Sequence, residues 1–432
     1  MPFLCTAEPE LSPSMNFAPP PAHPAPGHPA PWTAPTPVEH ALYEARGRGD
    51  WPGYFDVLAR AKLFFEIRPD KADAQDSVYP AFRHDPWGRN RWLHLYTEGM
   101  LPPPVPGQFF DWEPLRWFAQ PSWLVPRVAT SFVVNPGSPC EAVLPTVPPH
   151  HALWAGAGER AGMPRFAGQL RALNVGGALR GPVAHGLACG ALLCVSNGSL
   201  WNAMAWHGTG YPGERQRLKE WWGITTREQW LGALGQLLDC EAHSAVWEFA
   251  LGLRRTIARD FGGHVDPAYW RQSVEIVMRR NAGEAAELTA EGVTRIEPRP
   301  ESETAARIEG VQRLIGRITR YEARMRADGI LDANRYVTSV EAWDLGRASK
   351  MARWGLGARF GTLEEAERAV VQAGRSAALT YRSWQDFSAG YILGRCLHFD
   401  EEEFGSWYEE MAEAHRILMT EEASPWRNIP FR

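Results

Sequence analysis

Five side chains in the last quarter of the chain have types and spacings that could perform chemistry. They are Asp344, Arg347, Tyr391, Arg395 and His398. An acid held by arginines can orient a water molecule, and two guanidinium groups can receive an anionic ligand in a forked geometry. The same residues can instead form a buried salt-bridge network that fixes a helix crossing. The sequence leaves both interpretations open and identifies no catalytic residue.

Three capping pairs predict the helices that position these side chains. In each pair a Ser or Thr oxygen caps free backbone N–H groups, and an acid three residues later caps it in return. The pairs are Thr338/Glu341, Thr362/Glu365 and Ser383/Asp386. Gly346 and Gly394 precede the two arginines. Because glycine inside a helix costs about 1 kcal/mol relative to alanine, we expect these helices to cross closely and form a tight three-helix unit.

Arg347 lies within an apolar stripe of the first of these helices. The stripe consists of Val340, Trp343, Met351 and Trp354. An unpaired buried charge is too costly to persist, and Asp344 is three residues away on the adjoining edge. We therefore expect Asp344 and Arg347 to form part of one polar cluster.

The motifs of this region resemble those of a known bacterial domain. They are Glu341-Ala-Trp-Asp-Leu-Gly-Arg347, Ala352-Arg-Trp354, Tyr381-Arg-Ser-Trp384, Tyr391-Ile-Leu-Gly-Arg395, and Trp221-Trp-Gly-Ile224 with the capping pair Thr225/Glu228. Over about residues 197–410 the chain resembles the bacterial domain of unknown function typified by the YbeU and YbeR proteins. The resemblance implies a fold region and no reaction.

The first half of the chain has a different pattern. Amphipathic helices are predicted around Leu42 and Leu58, followed by short β-prone runs at 63–67, 92–96 and 131–134. Val57-Leu-Ala-Arg-Ala-Lys-Leu63, Trp92-Leu-His-Leu-Tyr-Thr97 and Val133-Val-Asn-Pro-Gly-Ser-Pro-Cys-Glu141 are similar to the N-terminal domain of the SseB family. Tyr96-Thr97-Glu98 departs from that family's usual ending. The resemblance implies a small module associated with secretion and conflict systems.

Together these patterns predict an α+β fold, with a small α+β N-terminal module followed by a mostly α-helical domain. The predicted divisions are a disordered proline-rich tail at 1–37, the module at 38–154, a Gly-rich connector at 155–196, the helical domain at 197–418 and a tail at 419–432. The proline-rich segment is a spacer, a docking peptide, or sequence upstream of a true start at Met15.

Composition narrows the class of protein. A net charge of −5 gives no reason to expect nucleic acid as a partner, and the longest apolar run, 183–195, is too short to cross a bilayer. The six cysteines form no Cys-x-x-Cys pair, which favours a reduced cytoplasmic compartment. No metal motif, phosphate loop or hydrolase elbow is complete, so we expect no cofactor and no metal. Cys396 is expected to be either an inert core thiol or one activated by Arg395 and His398.

An arginine-rich helix is predicted at 301–327. Its arginines fall opposite an apolar stripe, which indicates a solvated face balanced by acids such as Asp400-Glu-Glu-Glu403 or, alternatively, a docking face for an acidic partner. Twenty Trp residues would mostly cover core edges, with some exposed at a contact surface.

The leading functional hypothesis is a non-enzymatic cytoplasmic protein-interaction protein. By resemblance it would be an adaptor, chaperone or immunity-like component of a secretion or bacterial conflict system, with a protein partner and no membrane. The alternative is an enzyme or binding domain for an anionic small molecule at Asp344, Arg347 and Arg395.

Overall fold

The structure is a computed structural model. It describes residues 32–72, 78–84, 88, 90–103, 105–120, 130–148, 150–205, 211–260, 262–263, 265–283, 286–289, 292–295 and 300–432. Residues 34–432 form one compact unit. The predicted proline-rich tail falls almost entirely outside the described residues. The last residues of the predicted tail belong to the fold, because Ala34 and Thr36 are buried and Thr36 caps the first helix.

The N-terminal part alternates short helices and strands. Its elements are α1 (Pro37–Gly47), α2 (Trp51–Ala59), β1 (Leu63–Ile67), β2 (Arg83–His84), β3 (Arg91–Leu95), β4 (Phe109–Glu113), α3 (Leu115–Phe118), β5 (Ser131–Val134), β6 (Ala142–Pro145) and α4 (His150–Ala161). Antiparallel β1 and β4 form one sheet, and a second has the order β2-β3-β5-β6, with β3 and β5 parallel. A bridge between Phe64 and Tyr96 joins the two sheets.

The rest of the described chain is mainly helical. Its elements are α5 (Gly181–Cys189), α6 (Ala191–Asn197), α7 (Tyr211–Trp222), α8 (Arg227–Leu238), α9 (Ala245–Asp260), α10 (Pro267–Gly283), β7 (Ala286–Thr289), β8 (Gly292–Arg295), α11 (Glu301–Ala327), α12 (Glu341–Gly357), α13 (Leu363–Thr380), α14 (Trp384–Phe399), α15 (Ser406–Thr420) and α16 (Pro425–Asn428). This arrangement confirms the α+β class, with a small sheet region followed by a mainly helical region. The β7–β8 hairpin was not predicted. The module boundaries stay a prediction.

Glycines bring the central helices into contact, as predicted for α12 and α14. A methyl group added to Gly394 would lie 2.7 Å from Trp343 Cβ, and one on Gly346 would lie 2.6 Å from the Tyr391 ring. A further close contact, not predicted, joins α5 to α13. There a Cβ on Gly186 would lie 2.0 Å from the Val370 carbonyl oxygen. The sequence therefore sets three close helix contacts by omitting side chains.

Two of the predicted caps are corrected by the structure. Thr338 does not cap α12. Ser339 Oγ accepts the Glu341 N–H at 3.1 Å, the Tyr381 hydroxyl accepts the Ala342 N–H at 2.8 Å, and Glu248 of α9 accepts the N–H of the N-cap residue Val340 at 2.6 Å. The cap before α8 is Thr226 with Gln229, one residue later than the predicted Thr225/Glu228. The other two starts are confirmed, since Thr362/Glu365 forms a capping box and Ser383 accepts the Asp386 N–H.

The segment predicted as a C-terminal tail closes the core. Trp426, Ile429 and Phe431 are buried. Trp426 stacks on Trp384 with ring centroids 5.6 Å apart, and its indole N–H donates to the Ala188 carbonyl at 3.0 Å. A short apolar segment without a helical period gives little pattern from which to predict its structure. Burial of the Trp426 and Phe431 rings holds this segment against the core.

Candidate functional site

The α12 helix carries the candidate charges through the centre of the helical part. Between Ala342 and Ala358 every residue except Arg347 is buried, including Asp344, Lys350 and Arg353. An ionised group in the protein interior is tolerated only when it is paired or hydrogen-bonded. The partners of each charge therefore indicate what the helix does.

Asp344 is fully occupied by the connector between α8 and α9. Its Oδ2 accepts hydrogen bonds from the Ala242 and His243 backbone N–H groups at 3.0 and 3.1 Å, and the His243 ring nitrogen lies 2.9 Å away. Its Oδ1 accepts a hydrogen bond from Arg347. This carboxylate has no free face toward a ligand, and it fixes the connector to α12.

Arg347 lies flat against an aromatic ring. Its guanidinium carbon is 3.4 Å from the centre of the Trp343 ring, and its Nε donates to the Trp343 carbonyl at 3.2 Å. With Asp344 on its other side, the group is satisfied within its own helix. Arginine stacking of this kind keeps the guanidinium planar and desolvated.

The remaining three predicted site residues lie on α14 and have separate surroundings. Arg395 lies over the Trp407 ring at 4.9 Å and 3.7 Å from Glu410 Oε2. Tyr391 is buried, and no described group bonds its hydroxyl. Burial raises the pKa of Tyr391, and the charges of Arg395 and Arg347 oppose that rise.

His398 is exposed on the outer side of the same helix. Its ring lies 4.9 Å from the Trp343 ring, and burial followed by the Arg347 charge lowers its pKa. The structure thus brings Asp344 and Arg347 together, with Arg395 turned to a surface aromatic pair. That these five residues form a functional site remains a prediction.

A second group of charges, which the sequence did not indicate, surrounds a cavity of about 130 Å³. We call it the basic cavity. It lies between the N-terminal part and α12, and its charged lining consists of Lys62, Glu98, Glu214, Arg217, Lys350 and Arg353. When all six groups are ionised, four cations and two carboxylates leave an excess of two positive charges at this lining. Trp112 and Trp354 form the aromatic part of the cavity wall.

Lys350 and Arg353 meet at a cysteine. Arg353 Nη1 lies 3.0 Å from Cys194 Sγ, and Lys350 Nζ lies 3.7 Å from it. In the described part of the chain the other partners of Arg353 are the carbonyl oxygens of Leu200 and Met204. Burial lowers the pKa of Lys350 to about 7, although the neighbouring sulphur opposes the shift.

The cations on the opposite wall are held by carboxylates. Lys62 Nζ lies 3.9 Å from Glu98 Oε1, and Arg171 donates to the other oxygen of Glu98. Burial raises the pKa of Glu98, but Lys62 and Arg171 outweigh it and the net shift is downward. Arg217 forms two hydrogen bonds to Glu214 at 2.7 and 2.8 Å. Lys350 and Arg353 are therefore the two cations of this lining that form no ion pair with a described carboxylate, and Cys194 is the neighbour that they share.

One signal in the sequence could have found these two residues. Lys350 and Arg353 are one helical turn apart in a stretch whose other positions are small or apolar, so no polar face exists for them to occupy. The contribution of Lys62 and Glu98, about 250 to 290 positions away in the chain, has no local signature.

The other thiols differ from Cys194. Burial raises the pKa of Cys396 to about 12, which favours the inert core thiol over the alternative that Arg395 and His398 activate it. Cys240 lies near Glu341 and Asp344; burial and these acids raise its pKa to about 12. For Cys194 burial also raises the pKa, but Lys350 and Arg353 outweigh it and the net shift is downward.

The arginines of α11 form the solvated face that was the first of the two expectations. Arg313 pairs with Glu309 four residues earlier, and Arg317 and Arg320 pair with Glu402. More than half of the Arg313 and Arg320 side chains remains exposed. The two pairs with Glu402 use the acidic run after α14, as the charge pattern predicted.

No group of three or more His, Cys, Asp or Glu side chains among the described residues is arranged to hold a metal ion. No helix in the same residues has both the length and the apolarity needed to cross a membrane.

Comparison with known proteins places the helical part in context. Residues 217–431 match a family model described as "Protein of unknown function (DUF1266)". The matched region contains α12, with both Arg347 and the pair Lys350 and Arg353. It also contains the C-terminal segment that closes the core. No curated protein and no solved structure matches the chain. The N-terminal wall of the basic cavity lies outside the matched region.

Proposed function

We propose that this protein is a non-enzymatic binding protein that holds a small divalent anion in the basic cavity. The observation that carries the proposal is the pair Lys350 and Arg353, buried at a cavity wall without a carboxylate partner among the described residues. Cations placed inside a protein need an opposite charge. The Cys194 thiolate can balance one of the two cations, and a bound anion supplies the remaining negative charge.

The size and chemistry of the cavity define the class of anion. About 130 Å³ accommodates a phosphate, a sulfate or a short dicarboxylate, since a cavity of roughly 150 Å³ holds a molecule as large as benzene. Arg353 donates one hydrogen bond from each of its three nitrogens to protein acceptors, so two of its five N–H groups remain for an anion. Lys350 adds a point charge. This proposal moves the predicted anion site from Asp344, Arg347 and Arg395 to Lys350 and Arg353, further along α12.

Thermal denaturation of the full chain tests the proposal. Inorganic phosphate, sulfate and malonate are compared with chloride at one ionic strength, and we expect at least one of the three to raise the melting temperature. An anion at 100 times its dissociation constant adds about 2.7 kcal/mol to the free energy of unfolding. Lys62→Met, on the N-terminal wall, should weaken this effect, whereas Lys219→Met on the exposed side of α7 should preserve it.

Equal melting temperatures in all four salts would contradict the proposal for the wild-type protein, without reference to any variant. A rise that persists unchanged in Lys62→Met would place the anion elsewhere.

We also propose, from the resemblances to the YbeU/YbeR type and to the SseB N-terminal domain, that the protein acts in the bacterial cytoplasm as an adaptor, chaperone or immunity-like component of a secretion or conflict system. A stacked aromatic pair on the surface supports a protein partner: the rings of Phe399 and Trp407 lie 4.7 Å apart, and both side chains are exposed. Aromatic residues are enriched at binding surfaces.

A pull-down from the native host tests this role. The wild-type chain and Trp407→Ser are compared, with Trp221→Ser as the control for a second exposed tryptophan. We expect one partner to be retained by the wild type and the control and lost by Trp407→Ser. Identical capture by all three would exclude this surface as the contact.

A further inference from the structure

A groove beside α11 combines an apolar floor with an excess of arginine. It has a volume of about 820 Å³ and is open to solvent. Its apolar floor consists of Val246, Trp247 and Leu314, and Val246 is 42% exposed. Its charged lining consists of Arg271, Glu309, Arg313, Arg317, Arg320 and Glu402. We call it the α11 groove.

The charges of the α11 groove do not balance. Four arginines and two glutamates leave an excess of two positive charges. Glu402 is shared between Arg317 and Arg320, so it neutralises neither completely. Arg271 forms no ion pair with a described carboxylate, and its Nε donates to the Gln312 carbonyl at 3.4 Å. The excess is local, because the whole chain has a net charge of −5. A molecule that fits this groove therefore brings negative charge.

Three of the arginines form a row along α11. Arg313, Arg317 and Arg320 have the spacing i, i+4, i+7, which places them on one face of the helix. The row is about 10 Å long, at about 1.5 Å per residue. A second helix that lies along this row can present carboxylates at the same spacing, which is how amphipathic helices bind in grooves.

Gly310 leaves room for such a helix. It lines the groove one turn before Leu314, and a methyl group added to it would meet no atom within 4 Å. No contact within the described chain therefore requires glycine at this position, although glycine is less favourable than alanine inside a helix. The absence of a side chain lets another backbone approach α11 closely.

We propose that the α11 groove binds an amphipathic helix of a partner protein that carries acidic residues along one side. Its carboxylates meet the row of three arginines, and its apolar side chains cover Val246 and Trp247. The inference goes beyond the proposed anion binding, and it does not depend on the partner contact proposed for Phe399 and Trp407.

A nucleic acid matches the α11 groove less well. Glu309 and Glu402 would repel its phosphates, and its backbone brings no apolar group to the floor. A DNA duplex is therefore included in the test as the competing occupant.

Fluorescence anisotropy of labelled peptides added to the full chain tests the proposal. The probe is an amphipathic helix of about 18 residues with glutamates on one side and leucines on the other. Its counterpart carries lysine in place of every glutamate. At low ionic strength we expect the acidic peptide to bind and the lysine peptide not to bind. Added salt should weaken the binding, because the contacts are exposed ion pairs.

A charge variant locates the binding. Arg313→Gln should weaken binding of the acidic peptide by roughly 2- to 5-fold, the range for one exposed ion pair. Arg368→Gln in α13 is the matched control and should bind like the wild type. Arg313 and Arg368 each bond a glutamate four residues earlier, and their side chains are 66% and 63% exposed.

Gly310→Ala tests the close approach without changing any charge. The added methyl group should weaken peptide binding by roughly 10-fold through overpacking, while the variant itself should be at least as stable as the wild type. Gly232→Ala in α8, where an added methyl group also meets no atom within 4 Å, should bind like the wild type. A loss of binding confined to Gly310→Ala therefore cannot come from unfolding.

The proposal is overturned if the wild-type chain does not bind the acidic peptide, or binds the lysine peptide equally well. Equal affinities of Arg313→Gln and Arg368→Gln, or an unchanged affinity in Gly310→Ala, would place the peptide elsewhere and overturn it as well. Binding of the DNA duplex in place of the acidic peptide would assign the groove to nucleic acid. A dimer seen by light scattering without peptide, and lost in Arg313→Gln, would assign it to a second copy of this chain.

Discussion

Asp344 on α12 accepts hydrogen bonds from both the backbone N–H and the ring nitrogen of His243, at 3.1 and 2.9 Å. A single carboxylate thus fixes the connector between α8 and α9 to the central helix. Its remaining oxygen binds Arg347. The carboxylate that looked like a candidate ligand group in the sequence is a structural clamp in the fold.

The first prediction concerns this clamp. Asp344→Asn replaces an oxygen that accepts hydrogen bonds with an amide that also donates, and it leaves Arg347 without its ion-pair partner. Breaking a buried pair costs about 3–5 kcal/mol. We expect a markedly lower melting temperature by circular dichroism. Asp70→Asn, on an exposed pair with Arg68, should melt like the wild type. An unchanged curve for Asp344→Asn would argue that the network is not structural.

A second prediction tests the crossing of α12 and α14. Gly394→Ala introduces a methyl group 2.7 Å from Trp343 Cβ. Overpacking of this kind costs about 1–3 kcal/mol. Gly310→Ala in α11 is the matched control, because its methyl group meets no atom within 4 Å, and there alanine should stabilise the helix by up to ~1 kcal/mol. Urea unfolding of the two variants should show shifts of opposite sign, and a stabilised Gly394→Ala would refute the close crossing.

The third prediction follows from the burial of Lys350. Its pKa is lowered to about 7 in the folded chain, while the unfolded value is near 10.5. Between these pH values the unfolded state binds more protons, so the free energy of unfolding rises with pH. Stability is lost as the pH falls toward 7. The slope from this residue is at most about 1.4 kcal/mol per pH unit.

Urea titrations between pH 7 and 9 measure that slope. Lys350→Met should show a smaller increase in stability with pH than the wild type, and Lys219→Met should match the wild type. If Lys350→Met kept the full increase, the titrating group would have to be another residue.

A fourth prediction concerns the C-terminal segment. Trp426→Ala removes a ring that stacks on Trp384 and a hydrogen bond to Ala188, so we expect a loss of about 3–5 kcal/mol. Trp221, which is 58% exposed, provides the comparison. Trp221→Ala should change the free energy of unfolding by no more than about 0.5 kcal/mol. Similar losses in both variants would show that residues 425–431 do not complete the core.

Local patterns in the sequence predicted most of the elements. The strands at 63–67 and 131–134 and the long helix at 301–327 have the predicted bounds, because each is defined by its own period and flanking residues. The cap of α12 was misassigned because Ser339, one residue later than predicted, accepts the Glu341 N–H, and the other acceptors, Tyr381 and Glu248, are far away in the chain. Spacing within one helix likewise indicated Asp344 and Arg347, which lie one turn apart.

Local sequence patterns could not predict the basic cavity. Lys62 and Glu98 come from the N-terminal part, and Lys350 and Arg353 come from α12. Only the packing of two distant segments brings them together. Cys194 had no motif either, and its lowered pKa depends on cations more than 150 positions away.

The contact between α5 and α13 limits the substitutions that this chain can accept during evolution. At Gly186 the obstacle to any side chain is the Val370 carbonyl oxygen, which every amino acid carries. A substitution at Gly186 therefore has no compensating substitution at position 370, because a smaller residue there would leave the obstructing atom in place. Rescue would require moving one helix away from the other, so neutral drift at Gly186 is effectively closed.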